Sequence, residues 1–340
     1  MNPSCRHFVR LPSIFVCASL LLACGGAAQN ELRIPTGAGG VGFLPLLMMK
    51  EYALIEKHAS AAGINDLQVR WIDIGGPAVM NDALLSGSVD FIAAGPPGFL
   101  TLWDRTRDSA EIKGVAAMTS LPMYLNTRSD HLTALDDLTD QDKIAVTAIK
   151  VSIPAIIMQM YARDQYGADQ ANRFDKYTVT MRHPDGVIAL LSGASEVNAH
   201  FTSPPFHQRE RQDASIRTIM TTNDVMGSAT TFTMVSTTTR FRDEKPGVYR
   251  AFLAALEEAN TMIRTDVDRA AATLLAADAG GGFSQSELVE VLNDPDISFT
   301  TTPQNIMRYA EFMHSIASIE HLPESWQDFF FAEIHSAPGS

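Results

Sequence analysis

Two stretches of this chain echo each other. The first, Gly76-Pro77-Ala78-Val79-Met80-Asn81-Asp82-Ala83-Leu84-Leu85-Ser86-Gly87, runs on to Val89-Asp90-Phe91 and Gly95-Pro96-Pro97. The second, His183-Pro184-Asp185-Gly186-Val187-Ile188-Ala189-Leu190-Leu191-Ser192-Gly193, runs on to Val197-Asn198-Ala199-His200-Phe201 and Ser203-Pro204-Pro205. Each reads as a turn, a short helix closing on Ala-Leu-Leu-Ser, a glycine stop, a short apolar strand and a Pro-Pro loop. Ser86 and Ser192 stand 106 residues apart and Pro96 and Pro204 stand 108 apart, a nearly constant offset. Two copies are too few for a solenoid. They imply two similar α/β lobes, each using this element at the same place, with a cleft between them.

The length of 340 residues accommodates two lobes with a core each, and 46% hydrophobic with 19% charged residues is a globular composition. The first 28 residues read differently. Arg6 and Arg10 precede the apolar run Leu11 to Leu22, which is too short to span a bilayer, and small residues follow to Ala28. Residues 1–28 are therefore an export signal, and Leu21-Leu22-Ala23-Cys24-Gly25 offers Cys24 as a lipidation site in place of ordinary cleavage near Ala28. Cys5, Cys17 and Cys24 are the three cysteines, so the body beyond them has no thiol for a disulfide, a nucleophile or a metal. Removing Arg6 and Arg10 takes the net charge from −13 to −15, which argues against nucleic acid and anionic membranes as partners. The histidines show no H-x-x-x-H or H-x-H spacing, and there is no Gly-x-Ser-x-Gly elbow. No metal, cofactor or catalytic residue is expected.

Along the body, Leu32 to Pro35 reads as a first strand and Gly37 to Gly42 as a glycine-rich turn, followed by a helix over 46–62. The turn fits G-x-G-x-x-G literally, but Pro45 stands where the helix should begin. It reads better as a tight turn bringing backbone N–H groups to a ligand. Pro77 opens the next helix, and Ser152 is placed as the N-cap of a helix reaching Tyr166. Tyr124 to Thr127 and Thr231 to Ser236 read as strands crossing between lobes, and beyond Pro246 the pattern is almost wholly helical. The expected division is 30–124 with 236–335 as lobe 1 and 125–235 as lobe 2, the helical C-terminal part packing on lobe 1.

The order Gly42-Phe43-Leu44-Pro45, Gly75-Gly76-Pro77-Ala78, Ser86-Gly87 with Val89-Asp90-Phe91, and Ala199-His200-Phe201-Thr202-Ser203-Pro204-Pro205 resembles the periplasmic solute-binding proteins of nitrate/sulfonate/taurine-type ABC transporters. The thiamin-pyrimidine-precursor binders are related to these. The resemblance covers roughly 30–335 and implies a type II periplasmic binding protein fold, two α/β lobes joined by two crossover strands. It implies a periplasmic, monomeric receptor without enzymatic activity, which hands a small ligand to an inner-membrane permease with its ATPase. It places Phe43, Gly75, Gly76, Pro96, Ser120, Tyr124, Ser152, His183, Asp185, Thr202, Ser203 and Thr230 on the cleft, with Lys150 beside Ser152.

Helix starts at Gly76 and Ser152, together with Lys150, suit a sulfonate, nitrate or carboxylate. Asp73 and Asp185 suit instead an amine or a pyrimidine, with Phe43, Tyr124 or Phe206 stacking on it. Each of these residues also has an ordinary structural role open to it: His183 as a turn residue, His200 as a core histidine, Asp185 as a helix N-terminal charge and Lys150 as a solvated cation. An enzyme of the same fold acting on a pyrimidine, or a receptor serving a signalling partner, are the remaining alternatives.

Overall fold

The structure is a computed structural model, and it describes residues 31–340 apart from Ala38, Gly75, Gly76 and 278–281. Its strands are β1 (Glu31–Pro35), β2 (Gln68–Ile72), β3 (Ile92–Ala94), β4 (Ile112–Ser120), β5 (Tyr124–Thr127), β6 (Ile144–Val146), β7 (Thr178–Thr180), β8 (Ala199–Thr202), β9 (Arg217–Thr221), β10 (Thr231–Thr238) and β11 (Ser298–Phe299). The second lobe holds one sheet in the order β7-β6-β8-β5-β9. The first lobe holds β1 parallel to β2, and a sheet in the order β11-β4-β10-β3. Arg33 and Asp90 join these two pieces. The Asp90 N–H donates to the Arg33 carbonyl at 2.9 Å, and the Asp90 carboxylate accepts from the Arg33 backbone at 2.7 Å and its guanidinium at 2.8 Å.

The two lobes thus share one plan. In each, strands running one way are joined by an antiparallel strand that the chain contributes as it arrives from the other lobe; in the first lobe the short β11 also pairs antiparallel, with β4. β5 lies antiparallel between β8 and β9, and β10 lies antiparallel between β3 and β4. The echoing segments occupy equivalent places: the helices Pro77–Leu85 and His183–Ser192 each lead into the strand beside that arrival, β3 and β8. At both crossings the chain joins the sheet of its destination. Residues 231–235, assigned to lobe 2 from sequence, accordingly hydrogen-bond in the sheet of lobe 1, and Tyr124 pairs with Thr202 and Thr221 in the sheet of lobe 2.

Local chemistry departs from expectation at two helices. The helix expected over 46–62 is two, Leu44–Glu51 and Leu54–Ala61, broken where Ala53 adopts φ 48°. Ser152 does precede the helix Ile153–Tyr166, but its hydroxyl donates to the Ala148 carbonyl rather than capping the helix.

The C-terminal part packs on the first lobe. The helix Pro246–Thr265 turns Tyr249, Phe252, Leu256 and Ile263 into the core, and Phe252 stacks on Phe91 with ring centroids 4.1 Å apart. Phe329 and Phe330 close the same core over Phe99. Phe252 is fully buried, so Phe252→Ala should cost about 3–5 kcal/mol. Urea unfolding should show a lower midpoint at unchanged slope; an unchanged midpoint would mean that this helix does not hold the lobe together.

Candidate functional site

The parallel strands of both sheets end facing one another, where an α/β sheet offers its loops to a ligand. Between them lies a cavity of about 80 Å³, several times what one water requires. The first lobe supplies Phe43, Met80, Ala93 to Gly95, Phe232 and Thr233; the second supplies Thr147, Val151 to Pro154, Arg182 and His183; Met123 comes from the connection. Phe43 meets Phe232 edge-to-face at 6.5 Å. The wall is mainly apolar, and two of its hydroxyls are spent within the protein: Ser152 on Ala148 and Thr233 on the Gly42 carbonyl, 2.7 Å away.

The lobes touch on both sides of this cavity. On one side Gly95 packs on Ile153 so closely that a Cβ there would lie 2.9 Å from the isoleucine Cδ1. On the other, the glycine-rich turn meets the second Pro-Pro loop. Gly40, at φ 79°, leaves no room for a side chain against Phe206, and the Val41 N–H donates to the Pro204 carbonyl at 3.2 Å. That N–H of the turn therefore serves lobe contact rather than a ligand. Outside the cavity the cleft widens into a groove of about 680 Å³ lined by Leu47, Lys50, Asp73, Ile188 and Arg209, among others. Arg182 lines both spaces, and its guanidinium has no hydrogen bond or ion pair among the described residues.

Behind His183 runs a buried polar chain. His183 Nδ1 lies 3.2 Å from His200 Nε2, and His200 Nδ1 lies 2.5 Å from Glu210 Oε1. Glu210 Oε2 accepts from Asn126 Nδ2 at 2.7 Å, and Asn126 Oδ1 accepts from the Thr218 hydroxyl at 2.7 Å. His183 also packs on Phe206 with centroids 5.6 Å apart. Burial first, then the neighbouring His200, hold the His183 pKa well below its ordinary value. His207, beside Asn126, is pushed down to about 4 by burial and by Arg211.

Of the residues placed on the cleft from sequence, Phe43, Ser152 and His183 line the cavity. Thr202 is buried behind it, 3.4 Å from His183 Nδ1, and Pro96 is buried at the start of the helix Pro96–Thr106 directly after Gly95. Ser203 is buried in the Pro-Pro loop, its carbonyl accepting from the His207 N–H. Ser120 and Thr230 line no part of the cavity and satisfy one another, the Ser120 hydroxyl donating to the Thr230 carbonyl at 2.8 Å. Tyr124 stacks on His207 at 3.7 Å, and burial with Asp294 and Asp296 nearby raises its pKa. Lys150, at φ 68°, and Asp185 are exposed and outside the cavity. Gly75, Gly76 and Cys24 lie outside the described residues. Arg182, Phe232, Glu210 and Asn126 were not singled out from sequence; the one local signal was Arg182 standing next to His183. Among the described residues no group of three or more His, Cys, Asp or Glu is placed to hold a metal.

No family model matches this chain, and no curated protein does. Solved structures do. The alkanesulfonate-binding protein of Xanthomonas axonopodis pv. citri, bound to MOPS, is 16% identical with a TM-score of 0.63 over 88% of this chain and 96% of its own. The periplasmic aliphatic sulphonate binding protein of Escherichia coli is 16% identical with a TM-score of 0.62 over 89% and 92%. A Candida albicans gene product described as having the generic periplasmic binding protein fold is 17% identical with a TM-score of 0.59 over 88% and 92%. The chain has the type II periplasmic binding protein fold. This fold accounts for the two crossover strands and for a cavity built from both lobes of one molecule.

Both His183 and His207 have pKa values below the unfolded histidine value near 6.5. The unfolded chain therefore takes up protons that the folded chain refuses as pH falls. Their stabilising contribution is complete above about pH 6.5 and is lost progressively toward pH 4. Urea unfolding should show stability falling across that window, and His207→Gln should remove part of the slope. A flat profile between those limits would contradict the assigned environments.

Proposed function

We propose that this protein is an extracytoplasmic solute receptor whose lobes close on a small organic anion and which presents the closed form to an inner-membrane permease with its ATPase. The observation that carries this is Arg182, an exposed cation without a partner among the described residues, at the wall of a mainly apolar cavity shared by both lobes. An apolar wall favours a ligand with an alkyl or aryl body, and a guanidinium favours a sulfonate or carboxylate head. Nitrate would bring no apolar surface to that wall and would lose its hydration there. The body is strongly acidic, so a free guanidinium at the cavity wall is a local feature and not a consequence of total charge.

Binding here is closure and population shift rather than bond chemistry. The lobes turn on the connections between β4 and β5 and between β9 and β10. Support for transport comes from the fold, since solved relatives in shape include sulfonate-binding proteins. The export signal read in residues 1–28, with Cys24 as a lipid anchor or Ala28 as the cleavage point, supports a body outside the cytoplasm. No helix among the described residues is long and apolar enough to cross a membrane.

Calorimetry with butanesulfonate, butyrate, nitrate and butylammonium tests this reading. The sulfonate or the carboxylate should bind, nitrate and the amine should not, and Arg182→Gln should weaken binding roughly ten- to hundredfold, the weight of a hydrogen bond to a charged group. Tight binding of butylammonium, or an Arg182→Gln variant of unchanged affinity, would contradict it.

A further inference from the structure

We infer that the buried Glu210–His200 pair fixes His183 as a hydrogen-bond donor, so that a ligand in the cavity is recognised at two points, Arg182 and His183 Nε2. This deepens the function proposed above and rests on it for the cavity being the ligand site.

The argument is a count of protons. Glu210 and His200 are both fully buried. His200 is the one ion-pair partner of Glu210 among the described residues, since the adjacent Arg211 donates to the Ile216 carbonyl instead. In this proposal the pair is neutral as a unit, because a net charge at such a depth is costly and Asn126 is the one other donor to the carboxylate among the described residues. A neutral pair holds one proton between Glu210 Oε1 and His200 Nδ1, as carboxylate with imidazolium or as carboxylic acid with imidazole. In both arrangements His200 Nε2 also carries a hydrogen. Taking that hydrogen away leaves a net negative charge in the buried site.

His200 Nε2 faces His183 Nδ1 at 3.2 Å, so Nδ1 is obliged to accept. The Thr202 hydroxyl, 3.4 Å from the same Nδ1, is a second donor to it. A neutral His183 has one ring hydrogen, and with Nδ1 accepting it stands on Nε2. His183 is neutral because burial and His200 disfavour its charged form. Nε2 has no hydrogen bond among the described residues, and the ring lines the cavity. His207, also packed on this chain, is held neutral by burial and by Arg211; its ring bonds Asn126 and stacks on Tyr124. The wall therefore offers an N–H beside a guanidinium. Both match the oxygens of a sulfonate or carboxylate, and both oppose an ammonium group.

Ring ¹⁵N-labelled histidine in the full-length protein, read through long-range N–H couplings, reports the tautomer directly, with the His183 signal assigned by its loss in His183→Gln. A hydrogen on Nε2 is expected; a His183 carrying it on Nδ1 overturns the inference even if butanesulfonate binds. In calorimetry with butanesulfonate, His183→Gln, which keeps an amide donor, should stay within a few-fold of the unaltered protein, and His183→Met should lose on the order of ten- to hundredfold. Equal affinity of His183→Met and the unaltered protein overturns the donor role. An Nε2 hydrogen in a protein that binds none of the anions upholds the proton count and refutes the ligand class alone.

Discussion

The larger sheet of each lobe is completed by a strand that arrives from the other lobe. β5 and β10 run antiparallel to both of their neighbours, and each lies between two strands of the lobe it enters. Neither lobe can shed its crossover without opening its own sheet, so the lobes are tied by two connections. This places the ends of two sets of parallel strands face to face. The cavity, the groove outside it and the lobe contacts at Gly95 and Gly40 follow from that arrangement.

The chemistry of the cleft is uneven in a way that matters for recognition. The first lobe offers mainly hydrophobic surface, Phe43, Met80 and Phe232 above all, while the second brings Arg182 and His183 at the start of one helix. Of the three hydroxyls on the wall, those of Ser152 and Thr233 are committed to backbone carbonyls, and that of Thr147 has no hydrogen bond among the described residues. Behind the wall, Glu210, His200, Asn126 and Thr218 form a chain in which one member dictates the hydrogen position of the next. Such a chain is expensive to bury and is held by the packing of β5, β8 and β9 around it.

Much of the fold was legible because it rests on local rules repeated twice. Glycine stops, prolines opening helices and short apolar strands identified the echo, and the echo identified two lobes. Phe43, Ser152 and His183 were legible for the same reason, each standing where a strand or turn gives way to a helix. The rest depends on distance. Ser120, Tyr124 and Thr230 sit at the crossings, and only the tertiary pairing shows that their polar or aromatic groups are used internally. Lys150 was chosen as the cation nearest a helix start, yet its left-handed backbone leaves it outside the cavity, and Arg182 of the neighbouring segment lines the wall instead. Glu210 reads in sequence as one more charge in a polar helix; its burial against His200 is a product of the fold.

The account stands on lobes that move as bodies and shut around a ligand. Because the body beyond Cys24 has no cysteine, Ser86 and Ser192, exposed and equivalent in the two echoes, can each be replaced by cysteine and spin-labelled without interference. Pulsed dipolar spectroscopy on this pair measures the distance between the lobes directly. The account predicts that butanesulfonate shifts the distance distribution and narrows it to one closed population. An identical distribution with and without saturating ligand would show a rigid molecule, and would contradict it.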